Sequence, residues 1–132
     1  MEPTKETNGT MTAREMILAA PDLSYETVRV AEWGLTLIIR EMTAAQRDDY
    51  ERELLTEQRN EDGEMELHAD LHNAKAKLLV KCLWDDAGNR VFTDADAEAL
   101  GGKSANIVSM LYGVAARLSG LGPKDEEELA KN

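Results

Sequence analysis

The chain has 132 residues, enough for one domain whose hydrophobic core needs neither a disulfide nor a metal. Apolar residues make up 42% of the sequence but aromatic residues only 5%, so the predicted core is aliphatic. Acidic residues outnumber basic ones by 26 to 15, which gives a formal net charge of −11. This charge argues against binding to nucleic acids or to anionic membranes, because phosphate contacts require clustered lysines and arginines.

Cysteine content and hydropathy predict a protein of the cytoplasm. Cys82 is the single cysteine, which excludes an intramolecular disulfide and fits a reducing compartment. No apolar run approaches the ~20 residues of a membrane-spanning helix. The N-terminal residues lack the basic and apolar regions of a secretory signal.

The N-terminal third of the chain predicts a short helix followed by a hairpin. Thr12 and Glu15 have the spacing of a capping box, which predicts a short helix that ends before Pro21. Apolar and β-branched residues then alternate with others over residues 27–40. This alternation predicts a β-hairpin that turns near Trp33.

The middle of the chain predicts two longer helices. Thr43 and Gln46 form a second capping box, and the polar segment behind it predicts a surface helix over residues 44–59. Residues 60–63 then interrupt the pattern. An amphipathic helix that continues to residue 84 is predicted from apolar residues at helical spacing, namely Leu67, Leu71, Ala74 and Leu78.

The C-terminal third predicts a turn and two more helices. Residues 85–89 are rich in turn formers, and Thr93 followed by Asp96 indicates the start of a short helix. Ser104 is predicted to cap the last long helix, with Gly120 at its C-terminal end. The apolar stripe of this helix contains Ile107, Val108, Leu111, Val114, Ala115 and Leu118.

These elements predict a mainly α-helical protein, a small helical domain with a short N-terminal β-hairpin. Residues 1–10 lack periodicity and are predicted to be a disordered segment. The helical domain is predicted over residues 11–122, with the hairpin near 27–40. Residues 123–132 are predicted to be an acidic tail or a short helix.

The sequence carries little catalytic or metal-binding chemistry. His68 and His72 are four apart on a predicted helix and could bind zinc with Asp70 or Glu64. Zinc sites usually have at least three protein ligands, so two exposed histidines are the simpler interpretation. Cys82 lies in an apolar run and is predicted to be a buried thiol, not a nucleophile. We therefore predict a non-enzymatic protein without cofactor or metal.

Two ordered sets of segments indicate a protein family more specifically than these patterns indicate a function. The first set is residues 28–34, 37–40 and 42–48, and the second is residues 83–96, 99–105, 114–120 and 128–132. In this order and spacing they resemble the tail assembly chaperones of long-tailed, siphovirus-type bacteriophages. The resemblance covers about residues 26–132, nearly all of the predicted folded part.

The resemblance implies a chaperone that binds the phage tape measure protein and keeps it soluble before the tail tube forms around it. It further implies help in recruiting tail tube subunits, action in the host cytoplasm and absence from the finished virion. Members of the family commonly have a second, longer product made by programmed ribosomal frameshifting. We also predict a homo-oligomer, in which an exposed hairpin edge could add strands between copies.

The apolar stripes and the hairpin supply the candidate partner-binding residues. These are Trp33, Leu67, Leu71, Leu78, Ile107, Leu111 and Leu118. The alternative interpretation of both stripes is an ordinary intramolecular core, because amphipathic helices usually face their own domain. Two other functions stay open, a structural or connector protein retained in the virion and a small metal-dependent enzyme that uses His68 and His72.

Overall fold

A computed structural model describes residues 10–122 of the protein. The predictions for residues 1–9 and 123–132 lie outside the described residues. The helices are α1 (Ala13–Ala19), α2 (Ala44–Glu53), α3 (Ala74–Cys82), α4 (Ala97–Leu100) and α5 (Ala105–Leu118). The strands are β1 (Tyr25–Val30), β2 (Leu35–Arg40), β3 (Leu55–Arg59), β4 (Met65–Ala69) and β5 (Leu83–Asp85).

The strands form two antiparallel sheets. One sheet has the order β1-β2-β5; the β1–β2 pair is called the hairpin below. Its register pairs Tyr25 with Arg40 at the open end and Val30 with Leu35 at the turn, while β5 pairs along the other edge of β2. The second sheet is the β3–β4 pair, called the ribbon below.

The core lies where α5 packs against both the three-stranded sheet and α3. Aliphatic side chains dominate it, as predicted, and Tyr50 is the one aromatic residue among its fully buried members. The largest fully buried apolar side chains are Val30, Leu37, Ile39, Tyr50, Leu54, Leu78, Leu79, Leu83, Leu100 and Leu111. Within residues 10–122, no helix has both the length and the apolar character needed to cross a membrane.

The predicted helix starts are confirmed by the cap hydrogen bonds. The Thr12 hydroxyl accepts from the Glu15 N–H, and the Glu15 carboxylate accepts from the Thr12 N–H. Thr43 with Gln46 forms the same reciprocal pair, and at Thr93 the backbone N–H donates to the carboxylate of Asp96. The hydroxyl of Ser104 likewise accepts from the first turn of α5. Each signal spans only four residues, which is why a sequence pattern identifies it.

The predicted fold class is wrong, because the structure is mixed α/β and not mainly α with one hairpin. The predicted helix over residues 44–59 ends at Glu53, and the chain continues as β3. The predicted helix over residues 67–84 is a strand, a loop, α3 and β5. Leu67 therefore lies on β4 and Leu71 in the following loop, and neither shares a helix face with Leu78. Pairing of β3 with β4 across the turn at 60–63 overrides the helical spacing of the leucines.

Candidate functional site

An open, mostly apolar cleft of about 560 Å³ lies between the turn of the hairpin and the segment that leads into α4. Its charged lining residues are Glu32 and Lys103. Its apolar lining consists of Trp33, Leu35, Leu37, Leu83, Val91, Phe92, Ala99 and Leu100. A concave apolar surface with few charged groups is the usual form of a binding site.

The hairpin turn forms one wall of the cleft. Residues Ala31–Trp33 form a single 3₁₀ turn, closed by the N–H of Gly34, which donates to the carbonyl of Ala31 at 3.0 Å. Gly34 has a φ of +71°, a conformation that glycine adopts without steric cost. The turn places the half-buried ring of Trp33 against the edge of the core.

The segment with Val91 and Phe92 forms another wall of the cleft and is hydrogen-bonded to β5. The N–H of Val91 donates to the carbonyl of Leu83 at 3.1 Å, and Trp84 forms a β-bridge with Arg90. Val91 keeps 39% of its surface exposed, whereas the floor residue Leu83 is fully buried. The cleft therefore has accessible apolar surface above a buried floor.

Ion pairs around the buried Lys81 connect this wall to α2 and α3. Lys81 is only 1% exposed, and its Nζ lies 3.1 Å from Oε2 of Glu53 and 3.2 Å from Oδ1 of Asp94. Arg90 also pairs with Asp94, and its Nε donates to the carbonyl of Val80 at 3.0 Å. Partial burial alone would raise the pKa of Asp94, but hydrogen bonds from Arg90 and Lys81 and the charges of both lower it below its usual value.

A second exposed apolar surface lies on the ribbon and the loop after it. Its residues are Met65, Leu67 and Leu71, and Leu67 is 57% exposed. The ribbon pairs Leu55 with Ala69 at one end and Arg59 with Met65 at the other. No helix among residues 10–122 packs across the face that carries Met65 and Leu67.

The structure separates the seven candidate partner-binding residues. Leu78 and Leu111 are fully buried in the core, and Ile107 and Leu118 are partly buried against it. Trp33 lines the cleft, and Leu67 and Leu71 are exposed elsewhere. Sequence analysis missed Val91 and Phe92, and no local pattern around these two residues marks them as cleft residues.

The histidine pair does not lie on one helix. His68 is on β4 with its Nε2 3.2 Å from Oε1 of Glu66, whereas His72 is in the loop, 3.3 Å from the side chain of Asn73. Within the described part of the chain, no three histidine, cysteine or acidic side chains are grouped so that they could hold a metal ion. The predicted helical placement of the two imidazoles is therefore wrong.

Cys82 is buried at the end of α3, as predicted. Burial raises the pKa of its thiol to about 12, and the smaller effects of Ser119, Lys81 and Arg90 do not offset this. The thiolate, which is the nucleophilic form of cysteine, is therefore scarce near neutral pH.

The chain folds as a small mixed α/β domain with an apolar cleft, and comparison with known proteins gives its family. The structure is similar to that of the bacteriophage HK97 tail assembly chaperone, with a TM-score of 0.55 and 20% sequence identity, over 80% of this chain and 95% of that one. The phage tail assembly chaperone family profile matches residues 12–132. The chain belongs to this family, which confirms the resemblance seen in the sequence. No curated protein sequence matches it significantly.

Proposed function

We propose that this tail assembly chaperone binds apolar helical segments of the phage tape measure protein in the cleft beside Trp33. The chaperone keeps that client soluble until the tail tube is built, helps to recruit tail tube subunits, and is absent from the mature virion. It acts in the host cytoplasm as a homo-oligomer. Membership of a chaperone family indicates a non-enzymatic role.

The cleft is the observation that carries this proposal. Its apolar lining is continuous with the buried core through Leu37 and Leu83, so a docked apolar side chain exchanges contact with water for contact with this lining. Its volume is in the range of pockets that hold several side chains of a ligand. The net charge of −11 keeps the chaperone itself dispersed while it holds an insoluble client.

The ribbon surface extends the proposed client contact. Leu67 and Leu71 are exposed and are retained as candidate contacts together with Trp33. Leu78 and Leu111 contribute to the core that supports the cleft, and a client could reach them only if α3 and α5 separated. Direct contact is therefore proposed for the exposed members of the set.

Co-expression with the tape measure protein tests the proposal. We expect the wild-type chain to keep the client soluble and to be recovered with it. Val91→Asp places a charge in the cleft and is expected to reduce the recovered complex about tenfold, because an ionised carboxylate loses its hydration when an apolar client covers it. Met110→Asp is the matched control, since Met110 is an exposed apolar residue of α5 outside the cleft.

An insoluble client with the wild-type chaperone, or equal recovery with Val91→Asp and Met110→Asp, would contradict the proposal. Stoichiometric amounts of the chain in purified virions would instead support the alternative of a structural or connector protein.

A further inference from the structure

The outward face of the three-stranded sheet carries basic and aromatic side chains. Successive residues of a strand point to opposite faces, and Val28, Val30, Leu37 and Ile39 point to the core. The residues between them share the other face, called the arginine face below, which consists of Tyr25, Thr27, Arg29, Thr36, Ile38, Arg40 and Trp84. None of these seven residues is acidic, although the chain has 26 acidic and 15 basic residues.

The arginine face is open and is distinct from the client cleft. Tyr25 is 63% exposed, Thr27 and Arg29 are also exposed, and the other four residues are half-buried. Leu37 and Leu83, which line the cleft, belong to the opposite face of the same sheet. A ligand of the arginine face would therefore not occupy the cleft.

Arg40 is positioned to bind a carboxylate. Its guanidinium carbon lies over the ring of Trp84, 4.3 Å from the ring centre. A stacked guanidinium keeps N–H donors at its edge, and these match the two oxygens of a carboxylate. Within residues 10–122, neither Arg40 nor Arg29 forms an ion pair with an acidic side chain. Tyr25 pairs directly with Arg40 in the strand register and adds an exposed ring beside it.

The end of α5 lies close to Arg40. The N–H of Met42 donates to the hydroxyl of Ser119 at 3.1 Å, which places this end of the helix at the open end of the hairpin. Arg40 and Met42 are two residues apart, at most about 7 Å. Residues 125–128 follow the last described residue, Gly122, by three to six positions, a reach of about 10 to 20 Å for an extended chain. The chain is therefore long enough to bring residues 125–128 to Arg40.

We propose that the acidic residues 125–128 of the same chain bind the arginine face, with a carboxylate on Arg40. Residues 123–132 lie beyond the described part of the chain, and their sequence contains one uninterrupted acidic run, Asp125, Glu126, Glu127 and Glu128. This run is complementary in charge to a sheet face that has two arginines and no acid. The contact is separate from client binding and goes beyond the proposed function.

The covalent connection favours this occupant over ligands from solution. Any other acidic ligand must approach a chain with a net charge of −11. A short tether instead supplies an effective concentration of about a millimolar. A single-stranded nucleic acid could stack on Tyr25 and Trp84, but it would meet the same repulsion.

The proposed contact is a reversible cover of the arginine face. Ion pairs near the surface are weak and are screened by salt. A partner with a stronger acidic motif can therefore displace residues 125–128 and bind in their place.

Contact quenching of a bimane label by tryptophan tests the proposal in the full chain. Leu129→Cys places the label directly after the acidic run, and Trp33→Phe leaves Trp84 as the only tryptophan. Cys82 is buried and stays unlabelled. We expect bimane fluorescence to rise when Trp84→Phe removes the quencher. The quenching should be the same at every protein concentration, because the contact forms within one chain.

Charge variants on both sides of the contact identify it. Arg40→Gln is expected to lower the docking equilibrium constant about threefold, the usual effect of one exposed ion pair. Replacing the four acids of residues 125–128 by asparagine and glutamine should lower it at least as much, as should salt at about 1 M. Arg59→Gln removes an arginine from the ribbon and is the matched control, expected to leave the quenching unchanged. Circular dichroism checks that each variant is folded.

Three results would overturn the inference: equal fluorescence with and without Trp84, quenching that survives replacement of the four acids, or equal loss with Arg59→Gln and Arg40→Gln. Quenching that grows with protein concentration would assign residues 125–128 to a second copy and would equally overturn it. Absence of quenching, together with a labelled single-stranded oligonucleotide that binds the wild type but not Arg40→Gln, would assign the arginine face to nucleic acid instead. None of these results bears on client binding, which the cleft variants test separately.

Discussion

The hairpin and the ribbon are both two-stranded antiparallel pairs of similar length, yet their surroundings differ completely. The hairpin gains β5 as a third strand and α5 as a cover, and it buries Val30, Leu37 and Ile39. The ribbon gains neither, and its apolar residues Met65 and Leu67 are exposed. A two-stranded pair is marginal alone, so backbone pairing is a minor source of stability here and the covered face is the major one.

Shortening one apolar side chain in each strand pair should expose the largest difference. Ile39→Ala leaves a cavity in the core and is expected to lower the free energy of unfolding by about 3 kcal/mol. Leu67→Ala removes an exposed side chain and is expected to change it by less than about 0.5 kcal/mol. Urea unfolding followed by circular dichroism measures both values. Similar losses for the two variants would contradict the ranking of the two regions.

The two regions also differ in their ion pairs, and removing these pairs should change stability less than truncating the core does. Lys81→Met removes the buried cation and leaves the carboxylates of Glu53 and Asp94 without their partner. Both carboxylates are partly exposed, so water solvates them. We therefore expect the free energy of unfolding to fall by only about 1–2 kcal/mol. His68→Gln breaks the exposed pair with Glu66 in the ribbon, and no measurable change is expected. A stability loss with His68→Gln equal to that with Lys81→Met would show that the ribbon pair is not simply solvated.

The smallest expected difference between the two regions is in how their carboxylates change stability at acidic pH. The pKa of Asp94 is lowered in the folded state, so its ionised form favours folding above the ordinary value of 3.8, and this contribution is lost as pH falls through the lower folded value. Asp94→Asn is expected to flatten the curve in that acidic range.

Glu66→Gln in the ribbon is the control for this titration. The pKa of Glu66 is also lowered, first by a hydrogen bond from Asn60 and then by one from His68, but the site is open to solvent. We expect its replacement to change the curve less than Asp94→Asn does. Unfolding midpoints measured at a series of pH values would contradict this if the two variants had equal effects.

The same two regions explain what the sequence could and could not predict. Helix starts such as Thr43 with Gln46 depend on residues three positions apart, and the hairpin has a clear alternation, so both were predicted. In the ribbon, Met65, Leu67 and Ala69 also alternate with polar residues, but Leu67 has helical spacing to Leu71 as well. The two periods overlap, and only the pairing of β4 with β3 decides between them.

The cleft was beyond sequence analysis for a different reason. Trp33 was identified as a candidate contact, but its neighbours in the cleft come from the distant residues Val91 and Phe92. They reach it because β5 pairs with β2 and the segment after β5 folds back along it. Leu78 and Leu111 were candidate contact residues because an apolar stripe has the same sequence pattern whether it packs against a partner or against its own core.

The strand order β1-β2-β5 has a consequence for synthesis on the ribosome. Ile39 pairs with Leu83, and everything from α2 to α3 is translated between them. At the usual elongation rate of about 5–20 residues per second, the hairpin waits about 2 to 9 seconds for its third strand, and Leu37 and Ile39 stay uncovered longer, because their cover α5 is translated after β5. For that interval the nascent polypeptide presents the kind of surface that host folding factors recognise. A member of a chaperone family thus exposes apolar surface of its own while it is being synthesised.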